Sequence, residues 1–98
     1  MLMPMNISVV IPSYNEEENI NGLYNRIQKI FSKINIVDYE IIFIENGSSD
    51  KSLSILKQIN SKDKKVKIIS LSRNFGYQNA IFAGLDYSKK DNVFILDG

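Results

Sequence analysis

The chain contains no histidine and no cysteine, so any acid–base or metal chemistry must come from carboxylates. Carboxylates, amides, aromatic rings and one guanidinium gather in four short stretches. These read Pro12-Ser13-Tyr14-Asn15-Glu16, Glu45-Asn46-Gly47-Ser48-Ser49-Asp50, Ser72-Arg73-Asn74-Phe75-Gly76 and Asp97-Gly98. Tyr14 offers a flat ring suited to holding a nucleobase. Glu45 closes an apolar run, where its carboxylate can accept hydrogen bonds from base or ribose donors. Arg73 suits a diphosphate, and Gly76 lets the backbone approach something closely. Asp97, directly after another apolar run, is of the type that ligates a hard cation such as Mg²⁺ or Mn²⁺.

Each stretch also has an ordinary reading. Ser13, Asn15 and the glutamates suit any helix start, and Asn46 to Asp50 suits any turn and cap, with Gly47 supplying a positive φ. Arg73 can be a surface cation, and Asp97 alone decides nothing. The stretches gain meaning from the elements between them.

Ile7-Ser8-Val9-Val10-Ile11 is a β-branched run closed by Pro12, which suits a strand buried on both faces. Ile20, Leu23, Ile27, Ile30, Phe31 and Ile34 recur at three- and four-residue steps, predicting an amphipathic helix that begins near Glu16. Ser13 with Glu16, or Asn15 with Glu18, would form its capping box, and Glu16, Glu17 and Glu18 would face the helix dipole. Residues 40–44 predict a second strand, Leu53, Leu56 and Ile59 a second helix, and 66–71 a third strand. Residues 77–88 predict a helix that is apolar nearly all round and therefore buried, and 93–96 a fourth strand.

Alternating strands and helices imply right-handed crossovers and a parallel sheet with helices on both faces, an α/β architecture of the Rossmann-like kind. In such sheets ligands bind outside the carboxyl ends of the strands. The four chemistry-bearing stretches all follow strands. The opposite connections, around 32–39, 61–65 and 88–92, are ordinary solvated Lys, Asp, Asn and Ser segments.

Bulk properties narrow the field further. At 98 residues and 44% hydrophobic content the chain is one globular unit. Twelve basic and eleven acidic residues leave a net charge of +1, so no overall field draws in nucleic acid. No signal-peptide pattern or long apolar run is present, which predicts a soluble, cytoplasmic segment. No G-x-G-x-x-G follows the first strand and no G-x-x-x-x-G-K-[ST] occurs, so dinucleotide dehydrogenases and P-loop enzymes recede.

Taken in order, Val9 to Glu16, Glu45 to Asp50, Ser72 to Gly76 and Leu96-Asp97-Gly98 resemble the family 2 glycosyltransferases of GT-A fold, over almost the whole chain. The resemblance implies transfer of a sugar from a UDP- or GDP-linked donor, with Pro12, Tyr14, Glu16, Glu45, Asn46, Arg73 and Asp97 as nucleotide-sugar-binding residues. Asp97 would open a D-x-D that binds a divalent ion on the donor's phosphates. The second acid, the acceptor site and any catalytic base are expected beyond Gly98. The chain is thus expected to be the incomplete, nucleotide-binding front part of a transferase domain, truncated after the fourth strand and without turnover of its own.

One departure concerns Glu45 and Asn46, where the family usually carries two aspartates; this predicts an altered base preference rather than loss of binding. The Arg73 to Gln78 stretch and the apolar helix after it look like the branch of dolichol- and undecaprenyl-phosphate sugar transferases. That branch implies a polyprenyl-phosphate acceptor, or a growing glycan in related members, in cell-envelope polysaccharide biosynthesis. Work at the inner face of the membrane, through regions after Gly98, would follow. A sheet cut at that point also predicts exposed apolar surface and self-association. The alternative of a different class is a non-catalytic nucleotide- or protein-binding α/β module whose acids merely cap and solvate the loops.

Overall fold

In the computed structural model the described residues are 5–34 and 36–96. They form β1 (Met5–Ser13), α1 (Ile20–Phe31), β2 (Ile36–Asn46), α2 (Ser52–Lys62), β3 (Val66–Leu71), α3 (Tyr77–Tyr87) and β4 (Asn92–Ile95). All strand pairs are parallel and the order is β3-β2-β1-β4. The chain therefore steps outward from β1 to β3 and returns to the other side of β1. That reversal at β1 is the kind of switch point beside which α/β sheets bind ligands.

The β-branched runs form the middle of the sheet because both of its faces are covered. Ile7, Val9, Ile11, Ile41 and Phe43 point to one face and pack with Ile20 and Ile27 of α1 and Leu56 and Ile59 of α2. Val10, Ile42 and Ile44 point to the other and pack with Ala80 of α3. Gly84 brings α3 down onto the strands: a Cβ there would lie 2.3 Å from Val10 Cγ1 and 3.1 Å from Ile44 Cδ1. Pro12 is tolerated in central β1 because residues of its parity turn their amides toward β4, as the bond from Leu96 N to Val10 O shows. The missing N–H therefore costs the β1–β2 ladder nothing.

Four expectations are corrected. The first helix starts at Ile20, not near Glu16, and ends at Phe31, leaving Ile34 exposed beyond it. Neither capping box forms; the cap residue is Asn19, whose side chain makes no cap bond. Asn15 sits at φ 52, outside the helical region. Strand β2 starts at Ile36, four residues earlier than the apolar run suggests, because Asn6, Ile7 and Ser8 pair with Asp38, Tyr39 and Glu40. Finally, α3 is buried on one face only: Ala80 and Gly84 meet the sheet, while Phe82 is 64% exposed and Leu85 38%. Nothing among the described residues covers that outer side, and β4 is exposed along its whole length.

The end of the sheet opposite the site holds a polar brace. Glu40 is buried and its Oε2 accepts from Ser8 Oγ at 2.6 Å and from the Lys89 backbone N–H at 2.8 Å. Asp38 pairs with Lys65 at 2.8 Å and with Lys90 at 2.6 Å. Hydrogen bonds from Lys65 and Lys90, with one from the Tyr39 backbone, hold its carboxyl well below the usual carboxylate range. The buried Glu40 and the partly exposed Asp38 pairs tie the α3–β4 connection to the strands, so these connections are more than solvated surface.

Candidate functional site

At the carboxyl end of the sheet three loops are stitched into one wall. The β1–α1 loop is held by its neighbour: Asn15 N donates to Ser48 Oγ at 2.9 Å, Glu16 N to Ser52 Oγ at 2.9 Å and Glu17 N to Asp50 Oδ2 at 3.2 Å. In return Asn15 Oδ1 accepts from the Ser49 backbone N–H at 2.9 Å. The amides a helix cap would have served are thus satisfied from across the loop, which explains the late start of α1. Burial pushes the Asp50 carboxyl upward, but hydrogen bonds from Ser52 and the Glu17 backbone outweigh it and hold the group below its ordinary value.

The β2–α2 turn is in turn locked to the β3–α3 loop. Gly47 has φ 75, and a Cβ on it would lie 2.4 Å from the Arg73 backbone, so only glycine permits this contact. Asn46, 4% exposed, supplies the remaining ties. Its Oδ1 accepts from Phe75 N at 3.0 Å, and its Nδ2 donates to Asn74 Oδ1 at 3.2 Å and to the Gly76 carbonyl at 3.3 Å. Gly76 has φ 92 but open space where a Cβ would be. Gly76 therefore supplies the turn and leaves its Cα side open.

Between these loops lies a cleft of about 300 Å³ lined by Pro12, Ser13, Tyr14, Glu16, Asn46, Asn74 and Tyr77. Tyr14 and Tyr77, roughly half exposed, supply aromatic surface. Ser13 is buried and its hydroxyl has no hydrogen-bond partner among the described residues, an uncommon state for a buried polar group. Four of the expected site residues, Pro12, Tyr14, Glu16 and Asn46, are brought together here.

Of the other three, Glu45 and Arg73 are not among the lining residues. Glu45 is 2% exposed, and its carboxylate accepts the Ser48 backbone N–H at 2.9 and 3.2 Å. Instead of facing a base, it caps the turn that carries Asn46 and Gly47. Arg73 is exposed on the adjoining loop with its guanidinium 4.4 Å above the Phe75 ring, a cation–π contact that orients it along the rim. Asp97 lies outside the described residues.

Asn74 and Tyr77 line the cleft without having been singled out as ligand contacts. Asn74 stood in the quoted loop, while Tyr77 read as the opening residue of an apolar helix. The available signal was position: both lie at the strand-to-helix side of β3. Among the described residues, Glu16 is the single carboxylate on the cleft wall and no group of three or more acids able to hold a metal occurs.

Comparison with known proteins agrees with this geometry. The family model described as Glycosyl transferase family 2 matches residues 8–98. The chain is 41% identical, over 92% of its length, to the uncharacterized glycosyltransferase YkcC of Bacillus subtilis, of which that covers 28%. It is 40% identical, over 95% of its length, to the bactoprenol glucosyl transferase of Shigella phage SfV, of which that covers 30%. The chain thus spans less than a third of these relatives. Among solved structures it matches Staphylococcus aureus TarS 1-349 in complex with UDP-GlcNAc, with TM-score 0.79 and 27% identity, covering 95% of this chain and 26% of that one. The mannosyltransferase PcManGT of Pyrobaculum calidifontis, in complex with GDP-Man and Mn²⁺, shares the fold, with TM-score 0.72 and 18% identity over 97% of this chain and 28% of that one.

Proposed function

The chain belongs to glycosyl transferase family 2, and from that premise we propose that its cleft is the donor site of an enzyme moving a sugar from UDP or GDP to an acceptor. The observation that carries the proposal is the convergence of Pro12, Tyr14, Glu16 and Asn46 on one cleft at the carboxyl end of the sheet, beside the reversal in strand order. Tyr14 is the surface on which the base stacks. Arg73, on the rim, faces the diphosphate. Glu45 and Asn46 act beneath them: Glu45 shapes the turn, and Asn46 holds the loop that carries Arg73 and Asn74.

A transferase must steady the negative charge that grows on the departing nucleoside diphosphate. Arg73 is a cation at the rim available for that role. A divalent cation is proposed as well, with Asp97 among its ligands; support comes from the Mn²⁺ in the PcManGT complex and from the residue type at Asp97. The acceptor proposed is polyprenyl phosphate, supported by the 40% identity with a bactoprenol glucosyl transferase. Action at the cytoplasmic face of a membrane follows from that acceptor. No helix of the described residues is long and apolar enough to cross a membrane.

Titration of the chain with UDP and GDP, followed by calorimetry or by amide shifts, tests the donor site. Stacking of a base on an aromatic side chain contributes ~1–3 kcal/mol, so Tyr14→Ala should weaken binding by about 5- to 150-fold. Equal affinity in the variant, or no binding by the unaltered chain at millimolar nucleotide, removes the donor-site reading.

A further inference from the structure

We propose that Asn74 is a fixed hydrogen-bond donor of the cleft, its Nδ2 giving to an oxygen of the nucleotide, and that Asn46 is the positioning residue that aims it. The proposal rests on the donor-site reading above and assigns a group within it.

The orientation of the Asn74 amide is set by its oxygen. Oδ1 accepts from Gly76 N at 2.8 Å and from Asn46 Nδ2 at 3.2 Å. Turning the amide over would set its NH₂ against two N–H donors, so the NH₂ must point away from the loop. Asn74 is exposed and lines the cleft, and Nδ2 has no partner among the described residues. Apart from the phenol O–H groups of Tyr14 and Tyr77, the wall offers few other side-chain donors. Ionised Glu16 only accepts, and both N–H groups of Asn46 already serve the β3–α3 loop. The Ser13 hydroxyl is 2% exposed. A nucleoside diphosphate presents mainly acceptors, namely base carbonyls and phosphate oxygens.

The loop behind Asn74 is rigid enough to make the donor a fixed one. Asn46 holds it at three points, Gly47 packs against the Arg73 backbone, and Asn79 Nδ2 donates to the Phe75 carbonyl at 2.8 Å. An aspartate in place of Asn46 could accept from Phe75 N but could not donate to Asn74 Oδ1 or to the Gly76 carbonyl.

Asn74→Asp loses the NH₂ while its carboxylate keeps an oxygen for Gly76 N and Asn46 Nδ2; because it also adds a negative charge, Asn74→Ala, which loses the NH₂ without one, is titrated beside it. Uridine, UDP and inorganic pyrophosphate are titrated into the unaltered chain, Asn74→Asp, Asn46→Asp, the double variant and Tyr14→Ala. UDP is expected to bind about tenfold more weakly to Asn74→Asp. If uridine loses equally, the bonded oxygen is a base carbonyl; if pyrophosphate loses in Asn74→Ala as well as in Asn74→Asp and uridine does not, it is a phosphate oxygen. Asn46→Asp should weaken the same ligands, and the double variant should lose little beyond either single one. A role that is merely structural would instead weaken all three ligands and add. UDP binding unchanged in Asn74→Asp but weakened in Tyr14→Ala overturns this assignment and leaves the donor site standing. UDP binding unchanged in both variants overturns the two together.

Discussion

The substitution Asn46→Asp probes the site's architecture without any ligand. Asn46 is nearly fully buried and gives two hydrogen bonds and takes one. An aspartate preserves the bond from Phe75 N, strengthened by its charge. It removes both donors and sets an anion about 3.2–3.3 Å from the Asn74 side-chain oxygen and the Gly76 carbonyl. Two lost bonds at ~1 kcal/mol each, with the cost of a poorly solvated carboxylate partly offset by Phe75, give a destabilisation of ~2–3 kcal/mol near pH 7. Burial and the two facing oxygens raise the folded-state pKa of the new carboxyl above its unfolded value of about 3.9. Its protonated form is the better fit, because an O–H restores one donor. The stability contribution of that proton is therefore fully present below the unfolded pKa and is lost as pH rises through the folded one. Urea unfolding of both proteins from about pH 4 to pH 7 should show the gap between them narrow in acid and widen toward neutrality. A gap under ~0.5 kcal/mol at neutrality, smaller than one ordinary hydrogen bond, or one that grows on acidification, would refute the donor role assigned to Asn46.

Two glycines should respond oppositely to alanine. Gly22 in α1 has nothing within 4 Å of a prospective Cβ, so Gly22→Ala should stabilise by ~0.5–1 kcal/mol in urea unfolding. Gly84→Ala drives a methyl into Val10, and overpacking of ~1–3 kcal/mol should exceed the helix-propensity gain and lower the midpoint. Asp38, held below its ordinary pKa by Lys65 and Lys90, stabilises the fold above its unfolded pKa. That contribution drains as pH falls below about 4, and Asp38→Asn should flatten the acid limb of the stability profile. Phe82, Val93, Phe94, Ile95 and Leu96 leave apolar surface exposed on α3 and the β4 edge. Light scattering should give a mass above the 11.2 kDa monomer that rises with concentration and falls in Phe82→Glu; a constant monomer mass contradicts this.

The strand-helix alternation was legible because its signal is local: β-branched runs such as Val9 to Ile11 and Ile41 to Ile44 need only their own composition to declare burial. The rim was legible for a topological reason, since every polar stretch after a strand had to reach the same end of a parallel sheet. What the sequence hid was which polar group faces inward. Glu16 to Glu18 resembled a helix start, yet the amides of residues 15–17 bond to Ser48, Ser52 and Asp50, more than thirty positions away. Glu40 read as the opening of an apolar strand, whereas it is a buried carboxylate bonded by Ser8 and by Lys89, forty-nine residues on.

The same distinction divides the rim residues into two working classes. Glu45 and Asn46 are buried and their polar groups are engaged within the rim, Glu45 by its own turn and Asn46 by the β3–α3 loop, so removing one lets a loop move. Tyr14, Arg73, Asn74 and Tyr77 stand exposed on the frame those bonds create. A motif read as residue types alone assigns both classes to the ligand, because a carboxylate that shapes a turn and one that meets a base have the same letter. Burial separates them: a group 2–4% exposed with its hydrogen bonds made can reach a ligand only if the loop opens, and opening destroys the surface the ligand needs. The buried set should therefore reveal itself in unfolding experiments without ligand, and the exposed set only in binding. Asn46 and Asn74, joined by one hydrogen bond across that boundary, should register in both, stability more in the first and affinity more in the second.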